Sequence, residues 1–508
     1  MIRFAIFGLV ASSVGILAAE GLTRDLTPTL TGGKGYDYFS VERALAGPNA
    51  ALPAHTTPDW YNNARFGIFC HWGPQCAPEA GDWYARHLYY PNSGQGRHHR
   101  QNYGDPKEFG FKDVVNTWKA EKWDPDELCA LYKRMGATYI QAMANHHDNF
   151  DMWDSTHQPW NSVNMGPKRD ILKGWSDAAR KAGLRFGISM HAAHAWSWYN
   201  PARDFDGLLT KEDGKGKWWE GYDPQLLYWQ DHEPNADYKN QGRIHSQWDW
   251  GNGAVVPSEA FRENIRLRTM EALTKYKADL LYYDDTVVPF WPVADEGMRI
   301  TADFYAMNPD AVVLGKCLNE QQRQWLTWDV ERGTPPTPMY PKWQTDTCIG
   351  DWHYNRDRQR RGYRGARDVL RTLVDVVSKN GNLCLSIPIR SDGTIDKKER
   401  AVCEDIAAWM AVSREALFDS DPYEICGEGP QLAKAPPLHA QGFNEGKIPR
   451  PTKEDVRYLK ARDTEGVYAV EIAPDGEAPK CPALEAKGMK LVKSFERVKD
   501  FPVVHLFE

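Results

Sequence analysis

Several short runs of β-prone residues lie along the chain, and most of them give way to a polar or ionisable residue at the C-terminal end. Phe66-Gly67-Ile68-Phe69-Cys70 leads into His71, and Ala137 to Ala144 leads into Asn145-His146-His147-Asp148. Leu184 to Met190 runs into His191, Ala278 to Tyr283 into Asp284-Asp285, and Ala311 to Leu314 into Gly315-Lys316, while Asn382 to Ile387 forms a further run. Between many of these the apolar spacing changes to about 3.6 residues. Asp124-Pro125-Asp126-Glu127 opens one predicted helix with a capping residue and proline at its first turn, and Gly136 stops it. Asp170 to Ala182, Ser258 to Lys277 and Gly365 to Lys379 are predicted as further helices, the last closing at Asn380-Gly381.

Strands alternating with helices imply a parallel sheet. Strands that read as buried on both faces, with polar residues gathered at their C-terminal ends, predict a (β/α)8-type barrel. A doubly wound open sheet is the alternative, but no glycine-rich phosphate fingerprint follows the first strand. The pattern changes after about Cys426. Residues 427–453 are rich in Gly, Pro and Lys and read as a linker, followed by short strands at Val456 to Lys460, Gly466 to Ile472 and Lys490 to Ser494. The expected organisation is an export signal over 1–19, a barrel over 20–425, and a linker with a small β module over 426–508.

Composition narrows the function classes. A chain of 508 residues with 42% hydrophobic positions suits a large globular protein, and a net charge of −7 gives no general attraction to nucleic acid. Arg3, an apolar run from Phe4 to Ala18 and the small pair Ala18-Ala19 predict a signal peptide, hence a secreted or periplasmic protein; that run is short for a membrane span. The nine cysteines are spread widely and contain no CxxC pair; Cys70 and Cys76 are close enough along the chain to pair, and sequence leaves this open. Twenty-one tryptophans give ample flat apolar surface for sugar rings, although Trp is also common core filling.

Candidate chemistry concentrates at the strand ends. His71 and the following Asp82-Trp83-Tyr84 supply polar groups and an aromatic plate of the kind a sugar ring needs. Neighbours on a strand point to opposite faces, so His146 and His147 both reach one pocket only where the strand bends into its loop. His191 and His194 add imidazoles and raise a metal reading, but no HExxH is present and the spacing of those two is helical. No metal is therefore expected. Asp284 ends an otherwise hydrophobic strand, where a carboxylate can attack an anomeric carbon; Asp285 takes that place if the strand ends one residue later. A second carboxyl group must serve as acid and base, and Glu320, Asp329, Glu331, Asp346 and Asp351 are all candidates.

Trp60-Tyr61 through Arg65 to Gly73 resembles the opening signature of glycoside hydrolase family 29, the α-L-fucosidases. Asp82-Trp83-Tyr84 resembles its Glu-Trp-Tyr element, His146-His147-Asp148 its His-His-Asp-Gly-Phe stretch, and Asp279 to Asp284 its nucleophile strand. Lys168-Arg169-Asp170, Asn380 to Leu383 and Asp392 to Ile395 extend the resemblance over roughly Trp60 to Leu417. The resemblance implies a retaining exo-glycosidase that needs no cofactor, acting on terminal α-L-fucosides of an oligosaccharide or polysaccharide, with a barrel followed by a β-sandwich. It implies Asp284 as nucleophile, Glu331 as acid/base, His71, Asp82, Trp83, His146 and His147 around the sugar, and Tyr282 beside the nucleophile; His191 is a further substrate-binding candidate. Asp82 replaces the usual Glu, Gln344 stands where a Trp-Glu pair is common, and Asp285 replaces a glycine. A related α-glycosidase such as an α-galactosidase, or a non-catalytic sugar-binding barrel, are the alternatives.

Overall fold

The structure is a computed structural model describing residues 54–240, 254–291, 293–319, 322–438, 443–477 and 479–508. The expected export signal and Glu320 lie outside them. Eight parallel strands close into a barrel in chain order. They are β1 (Phe66–Cys70), β2 (Tyr139–Asn145), β3 (Arg185–Met190), β4 (Leu280–Thr286), β5 (Val312–Lys316), β6 (Thr327–Glu331), β7 (Trp343–Cys348) and β8 (Gly381–Ser386). Closure places Phe66 of β1 beside Leu383 of β8.

The period of two along each strand sorts residues into an interior and an outer layer. Leu280, Tyr282, Val312 and Leu314 join Phe69, Tyr139 and Cys384 in a cluster inside the barrel. Leu281, Tyr283, Val313, Ile140 and Ile68 face outward into the larger core beneath the helices. Gly67 is required by this interior packing: a Cβ there would lie 2.2 Å from the ring of Tyr139. Alternation also sends Asp284 to the inner face with Tyr282 and turns Asp285 outward.

The outer layer contains α1 (Pro125–Arg134), α2 (Ile171–Lys181), α3 (Glu259–Tyr276), α4 (Glu296–Met307), α5 (Ala366–Ser378) and α6 (Lys397–Phe418). Asp124, Asp170 and Ser258 cap α1, α2 and α3 by accepting from the backbone N–H three residues on, as their residue types predict. Gly136 (φ +91°) and Asn380 (φ +69°) provide the left-handed stops. Strands β6 and β7 and helices α4 and α6 are not anticipated by the apolar pattern.

A five-stranded antiparallel sheet in the order β12-β13-β11-β10-β9 follows: β9 (Ser420–Glu428), β10 (Val456–Ala461), β11 (Val467–Glu471), β12 (Leu491–Ser494) and β13 (Val503–Phe507). Its first strand starts at Ser420, before the change of character at Cys426, because α6 runs directly into it. One face, including Leu459, Val470 and Val504, shares the barrel's outer core. The buried guanidinium of Arg457 ties the sheet to Asp375 of α5 at 2.5 Å. All nine cysteines are free and buried, so Cys70 and Cys76 do not pair. Among the described residues no helix is long and apolar enough to cross a membrane.

Candidate active site

Three strand ends meet at one ammonium group. Lys316, the last residue of β5, places Nζ 2.5 Å from Oδ1 of Asp284 on β4 and 2.5 Å from Oε2 of Glu331 on β6. Burial alone would raise the pKa of Asp284, but Lys316 and the imidazoles of His147 and His191 override it and hold this carboxyl well below the usual range. Burial likewise disfavours the Lys316 ammonium, and Asp284 and Glu331 overcome that penalty and raise its pKa. The result is a fixed cation between two carboxyl groups.

The second oxygen of Asp284 faces histidines. Its Oδ2 lies 3.2 Å from Nε2 of His147 and 3.5 Å from Nδ1 of His191. His147 is oriented from behind, since its Nδ1 donates to the His191 carbonyl at 2.9 Å. A bond from Nε2 to Asp284 then requires a second proton on the ring; burial opposes this and, against the pull of Asp284, brings the pKa to about 4. Asp285 belongs elsewhere. It is buried on the outer side, 2.8 Å from Nε2 of His194, and does not line the pocket.

Below this lies a floor of neutral acids and phenols. The Tyr282 hydroxyl donates to Oδ2 of Asp346 at 3.1 Å. Gln344 accepts from Tyr61 and Tyr139 at 2.9 and 2.6 Å and donates to Asp329 at 2.8 Å. Burial pushes Asp329 up to about 7, and burial with the neighbouring Asp329 raises Asp346 well above the carboxylate range. Gln344 thus seals the barrel interior, which accounts for a polar amide at that position.

The loops build the walls. A cavity of about 320 Å³ opens at the C-terminal end of the barrel. Its lining brings together His71, Asp82, Trp83, His146, His191, Tyr282, Asp284 and Glu331 from the sequence-derived set, while His147 touches Asp284 from outside that lining. Asp346 also lines it. Asp329 is buried beneath, and Asp351 is engaged by Arg358 and Asn355 outside the cavity. Asp82 does more than face a ligand: its carboxylate accepts the backbone N–H of Trp352 at 3.2 Å and of His353 at 2.5 Å, anchoring the loop after β7. Trp83 is held in a left-handed conformation (φ +58°) at the rim, the kind of strain that accumulates where a side chain must be aimed.

Residues not singled out from sequence complete the pocket: Lys316, Arg332, Trp352, His353 and Phe443. Lys316 carried the same signal as Asp284, an ionisable residue at a strand end. Trp352 and His353 follow β7, whose polar sequence concealed the strand and therefore its loop. Phe443 comes from the segment expected to be a linker. At the barrel mouth the Phe443 N–H donates to the Glu331 carbonyl at 2.8 Å and Glu445 pairs with Arg332 at 3.3 Å.

His71, His146 and His191 bring ligand-type nitrogens within 4.8 Å of one another, as do His147, His191 and Asp284 with their nitrogens and carboxylate oxygen. At His146 the surrounding bonds favour hydrogen-bond donation over metal ligation. Gln75 donates to Nδ1 of His146 at 2.8 Å, which leaves Nε2 as the protonated nitrogen. Asp284 is already neutralised by Lys316.

An ion-paired carboxylate, a second carboxyl group beside it, a ring of imidazoles and an aromatic rim form a small polar pocket of the kind that holds one sugar. Residues 42–415 match the family model described as alpha-L-fucosidase. The chain is 25% identical to the tissue alpha-L-fucosidase of Rattus norvegicus, over 78% of this chain and 79% of the relative, and 24% identical to the alpha-L-fucosidase of Dictyostelium discoideum, over 72% and 73%. Its fold resembles the Thermotoga maritima alpha-fucosidase solved with a mechanism-based inhibitor (TM-score 0.61, 22% identity, covering 89% of this chain and 93% of that one). It also resembles a GH29 alpha-L-fucosidase from Bacteroides thetaiotaomicron (TM-score 0.58, 18% identity, 90% and 96%). With the family model spanning the whole barrel and the pocket at the barrel's mouth, the chain belongs to the alpha-L-fucosidase family.

Proposed function

We propose that this chain is a retaining exo-α-L-fucosidase in which Asp284 is the nucleophile and Glu331 the acid/base. The observation that carries this reading is the shared ammonium. Because Lys316 touches both carboxyl groups, their facing oxygens lie no more than about 5 Å apart, near the roughly 5–5.5 Å separation of retaining enzymes and below the roughly 6.5–9.5 Å of inverting ones. Asp284 is held ionised and attacks the anomeric carbon. Glu331 protonates the departing oxygen and then takes a proton from the water that releases the sugar. His71, His146 and His191 face the hydroxyls, with Trp83 and Trp352 as apolar walls. A pocket closed below by Tyr282 and Asp346 suits removal of a terminal residue from a fucosylated glycan.

The reading is tested with aryl α-L-fucoside, beside aryl α-D-galactoside and β-L-arabinoside. Turnover of the fucoside with initial release of α-L-fucose, lost in Asp284→Ala, is expected. No hydrolysis of the fucoside, or preference for another glycoside, defeats it. We also propose export directed by the N-terminal segment, on the strength of Arg3 and the apolar run to Ala18. N-terminal sequencing of the exported protein, expected to begin near Glu20, checks this; a chain retained uncleaved inside the cell overturns it.

A further inference from the structure

We propose that Lys316 is a positioning residue whose ammonium pairs in turn with Asp284 and Glu331, following the negative charge from one carboxyl group to the other and back within each turnover. The inference rests on the nucleophile and acid/base reading above and deepens it. In this mechanism Asp284 enters as the carboxylate nucleophile and Glu331 delivers the proton. As an Asp284 oxygen bonds to the anomeric carbon, the bond to the leaving oxygen breaks with its electron pair, and that oxygen takes the Glu331 proton. Asp284 is then a neutral ester and Glu331 a carboxylate. Water reverses the transfer: its proton goes to Glu331, its oxygen bonds to the anomeric carbon, and the electron pair of the ester bond returns to Asp284.

The net charge around the cation is the same at both stages; only its location changes. Nζ already stands 2.5 Å from both groups, so the switch needs no side-chain rearrangement. A compact ammonium with three donors on one nitrogen can serve two acceptors in this way.

The groups that face Lys316 are Tyr282 and Asp284 from β4, Asp329 and Glu331 from β6, Asp346 from β7 and His191 beyond β3. Burial shifts the Tyr282 phenol and the Asp329 and Asp346 carboxyls toward their neutral forms and disfavours the charged form of His191. Asp284 and Glu331 are therefore left as the alternating partners.

The test compares the pH profile of kcat/KM on aryl α-L-fucoside for wild type, Lys316→Met, Lys316→Gln and Lys316→Arg. Removing the charge should move the acid and alkaline limbs upward together by about 1–3 pH units. Arg should keep both limbs near their wild-type positions even where kcat falls. Circular dichroism identifies which neutral variant folds. Unmoved limbs in a folded neutral variant overturn the proposal. So does an arginine variant whose own limbs move upward by about 1–3 pH units, which also decides the matter if neither neutral variant folds. Wild-type inactivity on the fucoside would instead defeat the functional reading, so the two failures are distinguishable.

Discussion

Asp284 and Asp346 are aspartates pointing into the same barrel from β4 and β7, yet their surroundings hold them in opposite charge states. Both oxygens of Asp284 meet nitrogen groups: Lys316 on one side, His147 and His191 on the other. Asp346 has the Tyr282 hydroxyl on one oxygen, while its other is buried with no hydrogen-bond partner, as is one oxygen of Asp329 beneath it. Burial is common to all three. What separates them is the supply of donors and positive charge, which determines whether a buried carboxyl keeps its proton. The wall at β4 and β5 keeps a carboxylate ionised, as the proposed nucleophile requires, and the wall at β6 and β7 places carboxyl groups of raised pKa below Glu331.

Substitutions can break this comparison. Asp284→Ala should lower kcat/KM on aryl α-L-fucoside by about 10⁴-fold or more, since it removes the proposed nucleophile. A loss under ten-fold would remove Asp284 from the mechanism. Glu331→Ala should cost about 10²–10⁴-fold, less for activated leaving groups, with partial recovery in azide. If activity is untouched, Asp346, which also lines the pocket, becomes the candidate acid.

Asp346→Asn sharpens the contrast. An amide closely mimics a protonated carboxyl, so the loss should stay below about ten-fold, whereas Asp284→Asn should approach the alanine variant. Equal losses would mean that Asp346 works as an anion. The smallest effect is on stability. Asp329 is held near pKa 7 when folded, against about 3.9 unfolded. The folded chain thus binds more protons between about pH 4 and 7, and this group's stabilising contribution declines as pH rises through that window. Thermal melts across it should show a shallower decline for Asp329→Asn than for wild type; parallel curves would place Asp329 in its ordinary ionised state.

Legibility followed the barrel's chemistry. β1 to β5 and β8 read as apolar runs because their outward residues pack under helices and most of their lower interior positions are also apolar. β6 (Thr-Trp-Asp-Val-Glu) and β7 (Trp-Gln-Thr-Asp-Thr-Cys) carry the polar floor on their inner faces and have few apolar residues to reveal the strand. Missing β7 hid the loop with Trp352 and His353. The segment over 427–453 reads as a tether because Gly and Pro disrupt periodicity, yet Phe443, Asn444 and Glu445 make long-range bonds to Glu331, Thr334 and Arg332 at the pocket.

Residue order along the chain determined the alternation of strands and helices, their caps and stops, and the placing of Asp284, His71, His146 and Lys316 at strand ends, because those signals are local. Closure of the barrel decided the rest. It turned Asp285 away toward His194, set Lys316 between Asp284 and Glu331 from strands that are neighbours only in space, and gave each buried acid its charge. Charge state depends on what surrounds a group in three dimensions, and no spacing along one strand records it.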